Sequence, residues 1–181
     1  MIDIIEGDDK MDLPSEPLVI VVMGAVKAGK TTFIERYIKD RAVVFDMKNF
    51  FINLDMHGYD RTLILNQNIE TRLRERFLEL LSEASMTNGV LVIEYFGFNG
   101  MINFVLSEFD TVRIYISTPK SVLVDRINSM QEREWMTRVD AFAINDAIYS
   151  RISRGLYHWD VKYLSTDDVF IPDFDIDVLF S

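Results

Sequence analysis

Apolar residues along this chain follow two rhythms. The first is the short unbroken run: Leu18-Val19-Ile20-Val21-Val22-Met23, Ala42-Val43-Val44-Phe45-Asp46, and Gly89 to Tyr95. Thr111 to Ile116 and Val161 to Leu164 complete the set. Runs of this length and composition suit strands buried on both faces of a sheet. The second rhythm has apolar residues three and four apart. Phe33, Ile34, Tyr37 and Ile38 predict a helix over 32–39. Ile69, Leu73, Phe77, Leu80, Leu81 and Ala84 predict a long one from Gln67 to about Met86, ended by Asn88-Gly89. Further helices are expected over Asn99 to Ser107, from Pro119 through Val122, Leu123 and Ile127, and over Val139 to Ile152. Residues 47–66 show no period and read as irregular.

Strands alternating with helices give a parallel sheet covered on both faces. The expected fold is an α/β, three-layer domain with a five-stranded, mainly parallel sheet. It spans residues 18–165, with a polar segment at 128–138 as a lid between the last two helices. Ligands in such a sheet belong at the carboxyl ends of the strands. Residues 1–17 read as an acidic extension, in which Ile2, Ile4 and Ile5 offer docking points. Residues 166–181 read as an acidic C-terminal segment.

The first strand runs into Gly24-Ala25-Val26-Lys27-Ala28-Gly29-Lys30-Thr31, followed by Thr32 and the first helix. This is G-x-x-x-x-G-K-[ST] in its required setting of strand, loop and helix. Gly24 and Gly29 let successive N–H groups turn inward toward phosphate oxygens. The helix N-terminus adds positive potential. Lys30 would reach the β- and γ-phosphates, the Thr31 hydroxyl would bind Mg²⁺, and Lys27 is an extra cation in the loop. The segment therefore implies a bound nucleoside triphosphate, without yet naming a reaction.

Composition narrows the setting. The 181 residues are enough for one cored domain, and 49% are hydrophobic. No apolar run approaches the ~20 residues of a membrane span. The N-terminus carries acids and no basic region, so it does not read as a signal peptide. Cysteine is absent, which excludes disulfides and thiolate metal sites and fits a cytoplasmic protein. The net charge of −10 sits at the two ends, and the stretch between them is neutral. That balance argues against strong nonspecific binding to nucleic acid, while leaving room for a local basic groove.

Three kinds of P-loop protein compete: a kinase, a GTPase-type switch and a partitioning ATPase. Glu94-Tyr95-Phe96-Gly97 imitates a D-x-x-G loop, but Ser117-Thr118-Pro119-Lys120 stands where a guanine-reading N-K-x-D would follow strand four. Partitioning ATPases carry an extra Lys at the second loop position, which is Ala25 here. The kinase reading is supported by further residues. Glu94 ends strand three beside the P-loop strand, as a Walker-B-like Mg²⁺ ligand or an orienter of the acceptor. Asp46 ends strand two, where a general base and a helix cap both remain open. Arg126, Arg133 and Arg138 are lid candidates for charge developing in a transition state. Arg72, Arg74 and Arg76 on the long helix are either phosphate contacts or plain surface. Trp135 and Phe50-Phe51 suit base stacking or core packing. His57 and His158 have no partners at metal spacing.

The G-K-T-T ending of the loop, the acid closing strand three, Thr118-Pro119 leading to Asp125-Arg126-Ile127, and the arginine-bearing lid resemble the nucleoside and nucleotide kinases. The thymidylate kinase-like group is the nearest within them, over roughly 18–165. The acid–Arg pair of that group is not matched, since Tyr95 follows Glu94. The resemblance implies ATP and Mg²⁺ as cofactors and γ-phosphoryl transfer to a nucleoside, nucleotide or nucleotide-like acceptor. It makes Lys30, Asp46, Glu94, Arg126 and Arg133 catalytic candidates. A base within DNA is a second acceptor, since some phage enzymes of the group phosphorylate hydroxymethyluracil in DNA. A non-catalytic P-loop regulator is the rival of another class. Oligomeric state stays open, a homodimer included.

Overall fold

The computed structural model describes residues 16–56, 58, 67–98, 102–103, 106–166, 169–172 and 175–181. The predicted extension thus lies outside the described residues except for its last two, Glu16 and Pro17.

Six strands form one sheet: β1 (Leu18–Gly24), β2 (Val43–Asp46), β3 (Val90–Tyr95), β4 (Thr111–Ser117), β5 (Val161–Thr166) and β6 (Val169–Pro172). Their order is β2-β3-β1-β4-β5-β6. β1 to β5 run parallel, with Val22 opposite both Glu94 and Ile114, and Asp46 opposite Glu94. Central β1 is buried from Val19 to Gly24, as a strand covered on both faces must be. The expected parallel α/β sheet is therefore present, with one strand more than the five expected.

The extra strand is β6, which turns back antiparallel to β5, pairing Tyr163 with Pro172 and Thr166 with Val169. Four residues inside an acidic tail give no usable period, so the sequence concealed it. Phe170 is its buried residue. Its ring meets Phe33 at 5.3 Å and Tyr37 at 6.0 Å, both on the helix after the P-loop. Beyond β6, a 3-10 turn at Ile176–Phe180 rests on Arg41, whose guanidinium lies 4.1 Å from the Phe180 ring and 2.6 Å from Asp177.

The helices are α1 (Lys30–Tyr37), α2 (Met47–Asn53), α3 (Gln67–Met86), α4 (Lys120–Asn128) and α5 (Arg138–Ser153). α3 matches its prediction and lays Leu73, Phe77, Leu80 and Ala84 against β2 and β3. α2 corrects one: the start of the supposedly irregular stretch 47–66 is helical. Asp46 caps it, accepting Lys48 N–H at 2.9 Å and Asn49 N–H at 3.2 Å. Residues 57 and 59–66 lie outside the described residues. So do 99–101 and 104–105 of the helix expected over Asn99 to Ser107; within it Ser107 N–H bonds Asn103 O at 3.0 Å, a helical turn.

Candidate active site

A cleft of about 450 Å³ opens at the carboxyl ends of β1, β2 and β3. Lys30, Thr31, Asp46, Glu94, Arg126 and Arg133 all line it, although they come from five separate places in the chain. Its charge opposes that of the whole molecule. Among the described residues, five cations (Lys27, Lys30, Lys48, Arg126, Arg133) face two carboxylates (Asp46, Glu94).

The P-loop forms its floor. Gly29 has φ +98 and Gly24 φ +152, values that side chains rarely tolerate. A Cβ on Gly24 would stand 2.6 Å from Ile116 O of β4, so this residue must be glycine for space as well. Lys30 is only 7% exposed. Its ammonium donates to Gly24 O at 3.1 Å and Ala25 O at 2.8 Å, with the Phe96 ring 5.5 Å away. Curling back on its own loop satisfies the buried charge, and it holds the cation where phosphate oxygens would compete for it.

Next to it the Thr31 hydroxyl donates to Glu94 Oε1 at 2.7 Å. A hydroxyl and a carboxylate in contact at a loop of N–H groups form a hard-oxygen pair of the kind Mg²⁺ uses. Among the described residues no three of His, Cys, Asp and Glu cluster as a metal cage.

Asp46 lies in register with Glu94 at the cleft edge. Of the two roles left open for it, the cap is realised, and Oδ2 also accepts Asn49 Nδ2 at 2.9 Å. The carboxylate still borders the cleft. Arg126 sits in the last turn of α4, ahead of the segment 128–138 expected as a lid, and donates to Lys27 O at 3.1 Å. Arg133 belongs to a tight turn in which Arg133 and Met136 exchange both backbone bonds. Trp135 at the tip of this turn holds Lys48 5.4 Å from its ring, and Trp135 O accepts Gly58 N–H at 2.9 Å. Arg138 is helical instead and donates to Met130 O at 3.4 Å. Arg72, Arg74 and Arg76 do not reach the cleft; Arg74 pairs with Glu108 and Arg76 with Glu79. His57 lies outside the described residues, and His158 is an exposed loop residue.

Several neighbours of the loop escaped sequence reasoning. Thr118, buried after β4, donates to Ala28 O at 2.9 Å. Asn145 on α5 accepts Val26 N–H at 2.7 Å and returns a bond to Val26 O at 3.3 Å. Val26 was expected to contact phosphate, but its N–H is already directed to Asn145. Ser165 and Phe170 stand 3.5 Å from where a Cβ of Gly29 would be, which brings the hairpin of β5 and β6 against the loop. Only Asn145 carried a signal: it is a lone amide between Ile144 and Ile148 on the buried face of its helix. Tyr95, after Glu94, is buried and donates to Asn103 Oδ1 at 2.7 Å. Burial pushes its hydroxyl up to about 12, with Arg113 pulling the other way. It is a neutral phenol in the wall of the cleft.

No protein-family model and no curated protein matches the chain. Solved structures do. An unliganded sugar kinase from Janibacter sp. HTCC2649 is similar at 18% identity and TM-score 0.51, over 73% of this chain and 77% of that one. A chain of the Pnkp1/Rnl/Hen1 RNA repair complex is similar at 14% identity and TM-score 0.54. That match takes in 90% of this chain but spans only 50% of the other. A thymidylate kinase from Ehrlichia chaffeensis, at 13% identity and TM-score 0.42 over 86% of this chain and 91% of that one, is too distant to carry weight. At these identities the likeness is one of fold alone: a mostly parallel sheet flanked by helices, with the glycine loop after its first strand.

Proposed function

We propose that the protein is an ATP-dependent kinase that transfers the γ-phosphoryl group to a nucleoside, nucleotide or nucleotide-like acceptor. The observation that carries this reading is the cleft itself. In a chain of net charge −10, Lys27, Lys30, Lys48, Arg126 and Arg133 gather around a P-loop whose Thr31 hydroxyl meets Glu94. Such a site selects a polyanion bound with a divalent cation. The aromatic and methionine walls formed by Phe51, Phe98, Trp135 and Met136 leave an apolar half next to the charged half. That half suits an acceptor with a flat apolar body, and the nucleotide-like class also follows from the resemblance in sequence.

The residues divide the work as follows. Loop N–H groups and Lys30 bind the β- and γ-phosphates, while Lys27 adds charge at the tip. Thr31 and Glu94 would hold Mg²⁺, which when bound neutralises phosphate charge. Arg126 and Arg133 approach from the lid side and balance charge that spreads over the transferring group. Asp46 stands at the acceptor side, where a carboxylate can take the hydroxyl proton. Closure of the lid would exclude water from the transfer. The work of such a site is positioning and charge neutralisation.

The test is label transfer from γ-labelled ATP with Mg²⁺ to a panel of nucleosides, nucleotides, sugars and plain or hydroxymethylated DNA. Label in a nucleoside or nucleotide is the expected result. Label only in a sugar or in DNA would replace the acceptor class. Tight Mg·ATP binding with no label anywhere would leave a P-loop regulator and overturn the kinase reading. Hydroxymethylated DNA is an arm of the panel only, because no described residue favours it.

A further inference from the structure

The lid loop hangs between two helices, and both helices grip neighbouring residues of the phosphate loop. On the near side, α4 ends at Asn128, and its Arg126 donates to Lys27 O at 3.1 Å. On the far side, α5 leaves the lid at Arg138, and two turns later Asn145 bonds both the N–H and the C=O of Val26. The tip residues Val26 and Lys27 are thus clasped by the two stems of the lid.

Asn145 is 4% exposed and lies among Ala141, Ile144 and Ile148. A buried amide in such company is unfavourable unless its groups are bonded, and an apolar residue would fill the same space at no such cost. Its oxygen and nitrogen instead meet the two backbone groups of one residue, 119 positions away. α5 is stiff over the intervening distance. Thr137 and Asp140 close its first turn with a reciprocal capping box. Seven helical steps lead from Arg138 to Asn145, a rod of about 10 Å.

We infer that Asn145 is a positioning residue that couples the phosphate loop to the lid. Phosphate bound at the loop fixes Val26, Val26 fixes α5 through Asn145, and α5 sets the lid turn that carries Arg133 and Trp135. The inference rests on the kinase reading of the cleft.

Trp135 reports on it directly. The chain has two tryptophans, and Trp159 packs against Tyr115 at 4.8 Å, away from the cleft. In a Trp159→Phe background Trp135 is the single indole. Mg·ATP binding is measured by calorimetry and Trp135 emission is followed in the same titration, with Asn145, Asn145→Leu and Asn145→Asp. With Asn145 present, Mg·ATP should change the Trp135 emission. Asn145→Leu should weaken Mg·ATP about tenfold, because Val26 loses both buried partners. At saturating Mg·ATP it should also abolish the Trp135 response. Asn145→Asp keeps the acceptor for Val26 N–H and should retain part of that response; it carries the test if the leucine variant does not fold. A full response at saturation in both variants, or no response with Asn145 intact although Mg·ATP binds, overturns the coupling. Failure of the parent protein to bind Mg·ATP at all would instead overturn the kinase reading.

Discussion

Lys30 shows how a buried charge is held at a single residue. Its ammonium is almost fully buried and rests on the carbonyls of Gly24 and Ala25. Those neutral acceptors offset part of its desolvation, whereas phosphate oxygens would offset more. Lys30→Ala should therefore reduce phosphoryl transfer about 100-fold or more, the scale on which a charge-stabilising donor acts in a transition state. The thermal unfolding midpoint, taken alongside label transfer, should stay close to that of the parent protein. Gly24 fails differently. Its Cβ would stand 2.6 Å from a backbone oxygen, and its φ of +152 excludes most side chains. Gly24→Ala should cost about 1–3 kcal/mol of stability, read from denaturant unfolding, before any loss of activity is considered. The reason for that glycine was half legible. The motif demanded it for phosphate approach, while the collision with Ile116 O belongs to β4, which is brought alongside only by folding.

Among the elements, α2 and Asp46 separate structure from chemistry. The cap contacts of Asp46 are two backbone N–H groups and Asn49 Nδ2. Asp46→Ala should cost about 1 kcal/mol, the usual worth of an N-cap, in a thermal or denaturant melt. Asp46→Asn preserves the cap but removes the charge, so its melt should resemble the parent's. A drop in transfer for the asparagine variant then reports on the carboxylate as a base; unchanged transfer would leave Asp46 a cap only. α2 was missed because seven residues make two turns, too few for Met47, Phe50 and Phe51 to establish a period. α3, with twenty residues, showed its apolar face without help. β6 was missed because it is short and acidic at both sides, and because its buried Phe170 finds its partners in α1. Phe170→Ala should destabilise by roughly 3–5 kcal/mol, since the ring fills space between Phe33 and Tyr37. A loss below about 1 kcal/mol in the melt would mean that β6 does not secure α1.

For the whole molecule, buried tyrosines set the alkaline limit. Burial raises the Tyr95 hydroxyl to about 12, and raises that of Tyr157, which donates to Phe96 O at 2.5 Å, well above its usual value. An unfolded chain releases these protons near pH 10, while the native state holds them. Above pH 10 the unfolded state therefore binds fewer protons, and stability falls as pH rises toward 12. Below pH 10 both states are protonated, and this contribution is constant. Denaturant melts across that range should show the decline, and Tyr95→Phe should make it shallower; an unchanged slope would mean that Tyr95 ionises without cost. At the same scale, the net charge proved a poor guide to the cleft. Net charge sums over the whole chain, whereas Lys27, Lys30, Lys48, Arg126 and Arg133 converge only when β1, α2, α4 and the segment 128–138 meet. By itself the sequence determined the phosphate loop, the five parallel strands and most helices, because each is written in neighbouring residues or in a local period. Tertiary structure alone decided which arginines face the cleft, that Thr31 meets Glu94, that Phe170 backs the loop, and that Asn145 grips Val26. Val26 and Asn145 alone are 119 positions apart, and a local pattern holds no record of such a distance.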